Sequence, residues 1–262
     1  METKNKFMIT VILNGYKRGN QLNEQYEALM NQTIKPDEIL VWYNNPGNDD
    51  LNYDIGTKVP VAYCNYNFGV WARFAYAFIA KNPYVCIFDD DTIPGSRWLE
   101  NCMNTMKTHE GLLGTIGLLY LNPLPPEHSS YYEHYIRFGW ATNGQSDVPV
   151  QVDLVGHSWF FKKEWLSYMW REIPDPKYNT CGEDMHFSYM LQKYANIPTY
   201  VPPHPRDDKS LWGSLKGAEY GGDQNSLWET NQQGIDGTPF KQLMNEYFHN
   251  QRLKGWKLVN EK

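Results

Sequence analysis

Four stretches of this chain set charged side chains where their neighbours let them act together. Ile87-Phe88-Asp89-Asp90-Asp91-Thr92 places three carboxylates directly after a buried apolar run. Adjacent negative charges repel, so a cation must compensate them or they must stay hydrated. Oxygen-only ligands suit Mg²⁺ or Mn²⁺, ions that hold diphosphates by bridging their oxygens. A solvated loop capping a helix over residues 95–109 accounts for the same residues, because acidic groups are favoured at a helix N-terminus. Cys181-Gly182-Glu183-Asp184-Met185-His186 opens a helix with two carboxylates after a glycine. Either one offers a general base aimed from a sheet edge, and equally both answer the helix dipole. The dipole lowers a carboxylate's basicity and burial raises it, and sequence does not say which wins.

Val201-Pro202-Pro203-His204-Pro205 stiffens the backbone on both sides of an imidazole, fit to complete a metal shell begun by the aspartates, or simply incidental. Asn65-Tyr66-Asn67-Phe68-Gly69-Val70-Trp71-Ala72-Arg73 marks a turn into a helix with an arginine one turn in. That arginine is ready for phosphate or carboxylate, with a salt bridge to a nearby aspartate as the alternative.

The elements that must position these groups follow from the hydrophobic pattern. Phe7 to Leu13 is a continuous β-branched run, as expected of a strand buried on both faces. Leu22, Tyr26, Leu29 and Met30 recur at helical spacing, Glu38 to Tyr43 is a second strand, and Asn44-Asn45-Pro46-Gly47 is a turn. Val59 to Tyr63 is a third strand, Val70, Phe74, Ala77 and Phe78 form a helix stripe, and Tyr84 to Phe88 is a fourth strand running into the aspartates. Strands alternating with helices over about the first 110 residues predict an α/β fold with a parallel sheet. In such sheets ligands bind beyond the carboxyl ends of the strands, where the acidic triplet sits.

Later, Gly111 to Leu121 reads as strand, 122–148 as irregular, and Pro149 to Phe161 as two short strands around Gly156. A short helix covers 165–170, a longer one starts near Glu183, and Ile197 to Val201 is a last strand. The polar stretch 205–237 is a lid or a plain loop, and Phe240, Leu243, Met244 and Phe248 form a terminal amphipathic helix.

Composition narrows the class. The chain has 262 residues, 41% hydrophobic and 21% charged, enough for one domain with a substantial core. A net charge of −6 argues against a phosphate-driven nucleic-acid binder, so an anionic ligand needs a local arginine, lysine or metal. Cys64, Cys86, Cys102 and Cys181 form no C-x-x-C pair, which fits a reducing compartment. The sequence carries no transmembrane run, and a soluble, cytoplasmic protein is expected.

Taken in order, these motifs resemble the GT-A fold glycosyltransferases, especially the large inverting family two. The resemblance rests on Asn14-Gly15-Tyr16-Lys17-Arg18 after the first strand, on Gln32-Thr33-Ile34-Lys35-Pro36-Asp37-Glu38-Ile39, on the Asn65/Gly69/Arg73 turn and helix, on the Asp-x-Asp of Asp89 and Asp91, and on Glu183-Asp184. It covers roughly residues 7–201. The chain also resembles the small glycosyltransferases encoded by chlorella viruses, which would place it in a host cytoplasm.

The resemblance implies a Rossmann-like, mostly parallel sheet flanked by helices in one domain at 1–204, with a donor half at about 1–110 and an acceptor half at about 111–204. Residues 205–262 would form a lid loop and helix packed on that domain. It implies transfer of a sugar, with inversion, from a nucleoside-diphosphate sugar (UDP-hexose favoured) to a hydroxyl of a glycan or glycoprotein, with Mn²⁺ or Mg²⁺. By position, Asp91 binds the metal, Asp89 and Asp90 contact the ribose or position the metal, and His204 is a late metal ligand. Asn14 and Asn44 lie near the base, and Asn65, Gly69 and Arg73 serve the donor. Asp184 deprotonates the acceptor with Glu183 as its rival, and Gly156-His157-Ser158-Trp159 lines the acceptor pocket. Two features depart from the family: Asn44 stands where an acidic residue usually ends the second strand, and the tail from Pro205 has no counterpart. Two other functions compete: a haloacid-dehalogenase-like phosphohydrolase, which the Phe-Asp-Asp-Asp run resembles, and a non-catalytic carbohydrate-binding module suggested by the tryptophans and tyrosines.

Overall fold

A computed structural model describes residues 8–44, 53–140 and 144–261. Apart from Asn44, the turn expected at 44–47 lies outside the described residues. The strands are β1 (Ile9–Gly15), β2 (Glu38–Asn44), β3 (Val61–Cys64), β4 (Tyr84–Phe88), β5 (Leu112–Tyr120), β6 (Tyr135–Phe138), β7 (Val150–Val152), β8 (Leu154–Lys162) and β9 (Thr199–Val201). The helices are α1 (Gln21–Met30), α2 (Ala72–Tyr76), α3 (Trp98–Thr108), α4 (Leu166–Met169), α5 (Glu183–Ala195), α6 (Gly217–Tyr220), α7 (Leu227–Thr230) and α8 (Phe240–Leu253).

These strands form one sheet in the order β3-β2-β1-β4-β8-β5-β9-β7, with β6 paired to β5. β1, β2, β3, β4, β5 and β9 run one way, and β6, β7 and β8 run against them. The fold is therefore α/β, with a mostly parallel central sheet flanked by helices. The apolar runs earn this placement: Ile9, Val11, Ile12, Leu13, Val85, Cys86, Ile87 and Phe88 are all fully buried, as central strands covered on both faces must be.

The antiparallel insertion of β8 between β4 and β5 decides where the chemistry sits. It brings residues 156–159 alongside the end of β4, in line with the acidic triplet. The expectation of two short strands around Gly156 is corrected here, since β8 runs unbroken from Leu154 to Lys162, and the irregularity is a register shift against Gly114 and Ile116 of β5. β6, inside the segment read as irregular, was hidden by its polar and aromatic mix. Phe78 of the expected helix stripe is exposed, because α2 gives way to a single 3₁₀ turn over Ala77–Ile79.

α8 packs on α5 through Tyr247, whose hydroxyl lies 2.7 Å from His186 Nδ1, while His186 Nε2 lies 2.8 Å from the Met169 carbonyl. The C-terminal helix thus buttresses the helix that carries Glu183 and Asp184. Among the described residues no helix is long and apolar enough to cross a membrane.

Candidate active site

Beyond the carboxyl ends of β1, β2 and β4 opens a cavity of about 610 Å³, within the range of small-molecule sites. Asp89, Asp90 and Asp91 all line it, so the triplet faces a cleft. Their turn is held from two sides. The buried Gln25 amide of α1 donates to the carbonyls of Asp89 (2.7 Å) and Thr92 (3.0 Å). The His157 carbonyl of β8 accepts from the Asp89 N–H and the Thr92 hydroxyl, each at 3.0 Å.

Two arginines meet these carboxylates. Arg73 is buried, bonds Asp89, and donates to Glu183 Oε1 at 2.8 Å. Its guanidinium lies over the Trp159 ring, 4.6 Å from the centroid. Arg18 donates to Asp90 Oδ1 at 2.7 Å and to both carboxylate oxygens of Asp223, and its Nη1 lies 3.9 Å from Asp91. Asp223 belongs to the C-terminal stretch, and residues 225–229 and 232–235 of that stretch form a wall of the cavity.

Asp89, Asp91 and His157 form the metal-capable cluster among the described residues, with candidate ligand atoms all within 4.8 Å of one another. His157 Nδ1 lies 3.5 Å from Asp91 Oδ1, is shielded from solvent, and has no hydrogen-bond partner among the described residues. An orphaned imidazole nitrogen between two carboxylates is what a divalent cation would satisfy, so these residues fit a metal. His157 also has φ of 64°, a left-handed backbone that histidine tolerates better than most residues and that marks local constraint.

The electrostatics separate the acids. Burial pushes Asp90 up to about 7 against the pull of Arg18, and raises Asp89 despite Arg73. Burial also opposes the charge on Asp91, but His157 and Arg18 outweigh it and hold Asp91 below the usual carboxylate range. Glu183 is pushed up to about 8 by burial, with Arg73 working the other way. Burial raises Asp184 to about 6, partly offset by the Met185 N–H that its Oδ1 accepts at 2.7 Å. At the start of α5, burial therefore raises both carboxylates against the backbone N–H groups that would lower them. α5 can begin there because Gly182 has φ of 92° and a Cβ at that position would lie 2.8 Å from the Tyr247 ring.

The structure sorts the other expected residues. Asn14 and Asn44 line the cavity. The Asn44 amide, however, is spent on the turn after β3: Nδ2 donates to Asn67 Oδ1 (3.0 Å) and to the Gly69 carbonyl (3.1 Å), and Oδ1 accepts from the Phe68 N–H (2.9 Å). Asn65 is exposed and does not line the cavity, and Asn67, two residues on, takes that place. His204 is corrected most clearly. It is buried with its ring stacked 4.2 Å from Trp212, outside both the cavity lining and the metal-capable cluster, and the imidazole that meets the aspartates is His157. Trp159 is only 2% exposed, its Nε1 bonded to the Val155 carbonyl, so it supports Arg73 from below. Sequence reasoning missed the pairing of Arg18 with Asp90 and Asp223, and the places of Tyr131 and Arg137 in the cavity lining. Arg18 carried a signal, a cation just past the first strand, whereas the others come from segments without periodicity.

No protein-family model matches the chain, and no curated protein matches it. Among solved structures it is similar to S. aureus TarS 1-349 in complex with UDP, at TM-score 0.49 and 15% identity over 75% of this chain and 58% of that one. The same protein in complex with UDP-GlcNAc gives 0.49 and 14%, over 75% and 56%. The mannosyltransferase PcManGT from Pyrobaculum calidifontis, in complex with GDP-Man and Mn²⁺, gives 0.47 and 16%, over 76% and 56%. The chain thus spans less than two thirds of each of these structures, and likeness of this degree bears on neither reaction nor substrate.

Proposed function

We propose that this chain is a metal-dependent glycosyltransferase of the GT-A kind, a hexosyltransferase that moves a sugar from a nucleoside-diphosphate donor, UDP-hexose favoured, to a hydroxyl of a glycan or glycoprotein, with inversion. The observation that carries the reading is that one cavity holds both the Asp89/Asp91/His157 cluster and, on the N-terminus of α5, a carboxylate without an ion-pair partner among the described residues, Asp184. The donor half is residues 1–110, the acceptor half 111–204, and 205–262 closes over both.

Asp89, Asp91 and His157 would hold Mn²⁺ or Mg²⁺, which when bound supplies positive charge against a leaving diphosphate. Arg73, paired with Asp89 and Glu183, serves to hold Asp89 in place. Arg18, anchored at the cavity by Asp90, adds cationic charge beside the triplet. Asp184 accepts the proton of the acceptor hydroxyl as its oxygen attacks the anomeric carbon, and the bond to the diphosphate oxygen breaks with its electron pair. General-base catalysis of this kind contributes on the order of 10²–10⁴-fold. Glu183 is tied to Arg73 and is a positioning residue.

The test is nucleotide release and sugar transfer from a panel of UDP- and GDP-sugars with and without Mn²⁺. Asp184→Asn is expected to lose transfer and Asp91→Ala to lose metal-dependent donor binding. Wild-type turnover in the first, or donor binding independent of metal in the second, overturns the assignment.

A further inference from the structure

Charge around the cavity is unevenly paired. Asp89, Asp90, Asp91, Glu183, Asp184 and Glu229 line it, together with Arg18, Arg73 and Arg137. Arg18 is taken by Asp90 and Asp223, and Arg73 by Asp89 and Glu183. Arg137 forms no ion pair among the described residues, although six carboxylates border the same space, and it is exposed at the cavity wall.

The sheet places this arginine. Arg137 of β6 is in register with Leu118 of β5, which is in register with Leu154 of β8. Residues in register share a face of the sheet, and Leu118 and Leu154 also line the cavity. The guanidinium lies over the half-buried Trp140 ring, 5.8 Å from its centroid, and that ring is 5.3 Å from the His157 ring. Such a cation–π contact orients a side chain that would otherwise move freely in water. β6 lies two strands from β8 and three from β4. At about 4.8 Å per strand that is roughly 10 and 14 Å along the sheet. A diphosphate held by Asp89, Asp91 and His157 sits at β4 and β8, so Arg137 faces what binds beside it, in the half assigned to the acceptor. Tyr131, Trp228, Gln232 and Gln233 line the same cavity and offer ring faces and amides to sugar hydroxyls.

We infer that the acceptor is an acidic glycan, whose carboxylate or phosphate is bound by Arg137 while one of its hydroxyls meets Asp184. A guanidinium fork matches either anion with two parallel hydrogen bonds, which a neutral sugar cannot supply. This rests on the glycosyltransferase reading and specifies the acceptor class of that site.

The test uses the whole chain with Mn²⁺ and whichever nucleotide sugar releases nucleotide. The acceptors are methyl glucoside, methyl glucuronide and methyl glucoside phosphorylated at its primary hydroxyl, with the matching galactose and mannose sets. In at least one set a charged member should exceed the neutral one about fivefold in kcat/KM, and added salt should shrink that ratio. Preference for the carboxylate names a uronic acid, and preference for the phosphate ester names a phosphorylated glycan. Arg137→Gln should bring the ratio close to one, and Arg137→Lys, a point charge without the fork, should keep part of it, with the melting temperature as a check on folding. Because the ratio is first read on the unaltered protein, a poorly folded variant would not remove the test. Equal use of charged and neutral members, transfer to none of them despite nucleotide release, or a preference that survives in Arg137→Gln overturns the acceptor assignment and leaves the glycosyltransferase reading standing. So does a loss of nucleoside-diphosphate affinity in Arg137→Gln as large as the loss of preference, which would give Arg137 to the donor. Absence of nucleotide release from every donor overturns both.

Discussion

His157 Nδ1 faces Asp91 Oδ1 at 3.5 Å, too far for a sound hydrogen bond, with no other partner among the described residues. If this gap exists for a cation, the imidazole contributes to metal affinity. His157→Asn suits the test because asparagine tolerates the left-handed backbone found here. We expect Mn²⁺ binding to weaken roughly tenfold or more, read by titration calorimetry, with little change in melting temperature. Unchanged affinity would remove His157 from the ligand set. His204→Asn is the contrast: buried against Trp212 and away from the cluster, it should leave Mn²⁺ affinity as it was.

As the general base proposed above, Asp184 should set the acid limb of activity. Its carboxyl titrates at about 6, raised chiefly by burial, and a general base must be deprotonated. Activity in kcat/KM should therefore fall about tenfold per pH unit below about 6 and level off above it. In Asp184→Asn that limb should vanish along with about 100-fold or more of the rate. A limb that survives in the variant would assign it to another group.

Much of this site was legible in the sequence, for a physical reason. Carboxylates at the end of a fully apolar strand, and at the start of a helix after glycine, occupy positions fixed by local pattern alone, so Asp89–Asp91 and Glu183-Asp184 fell where expected. The nearness of His157 to the aspartates was not legible, because the antiparallel return of β8 beside β4 is a long-range pairing that no local period encodes. Arg73 offered two outcomes, phosphate or salt bridge, and the second holds because Asp89 and Glu183 are both within its reach. Asp223 was unreadable: its partner Arg18 lies 205 positions away.

That long-range pair tethers the C-terminal stretch. Arg18 to Asp223, Lys216 to Glu24 (2.6 Å) and the Tyr220 hydroxyl to Glu24 (2.7 Å) are polar contacts, the last two at exposed groups where solvent screening weakens them. Asp223→Ala should speed amide hydrogen exchange in 217–235 several-fold while leaving β1 and α5 unchanged, and raised salt should act in the same direction. Uniform protection in the variant would mean that packing, not this pair, holds the stretch.

Gly69 has φ of 75°, and a Cβ there would lie 2.1 Å from the Asn179 carbonyl oxygen. Gly69→Ala must therefore displace either the turn that Asn44 pins or the loop before α5. A left-handed alanine alone costs about 1 kcal/mol or more and the clash adds to it, so the melting temperature should drop by about 5 °C or more. Donor affinity should fall with it, since Asn67 would lose its place at the cavity. A melting temperature within about 1 °C of the parent would show that the turn yields more easily than this contact implies.

Arg73 gives the largest expected loss. It is buried, lies over the Trp159 ring, and is shared between Asp89 and Glu183, so removing it strands a half-buried and a buried carboxylate. Breaking a buried ion pair from one side costs about 3–5 kcal/mol. Arg73→Met should approach that cost in chemical denaturation at pH 7. Part of it should return as pH falls, because protonating Asp89 and Glu183, both raised by burial, removes the unpaired charge. Arg73→Lys keeps the charge but cannot fork to both carboxylates, and should fall between the two. A variant as stable at pH 8 as at pH 5.5 would mean that the stranded carboxylates are satisfied some other way, and Arg73 would lose its place as the support of Asp89.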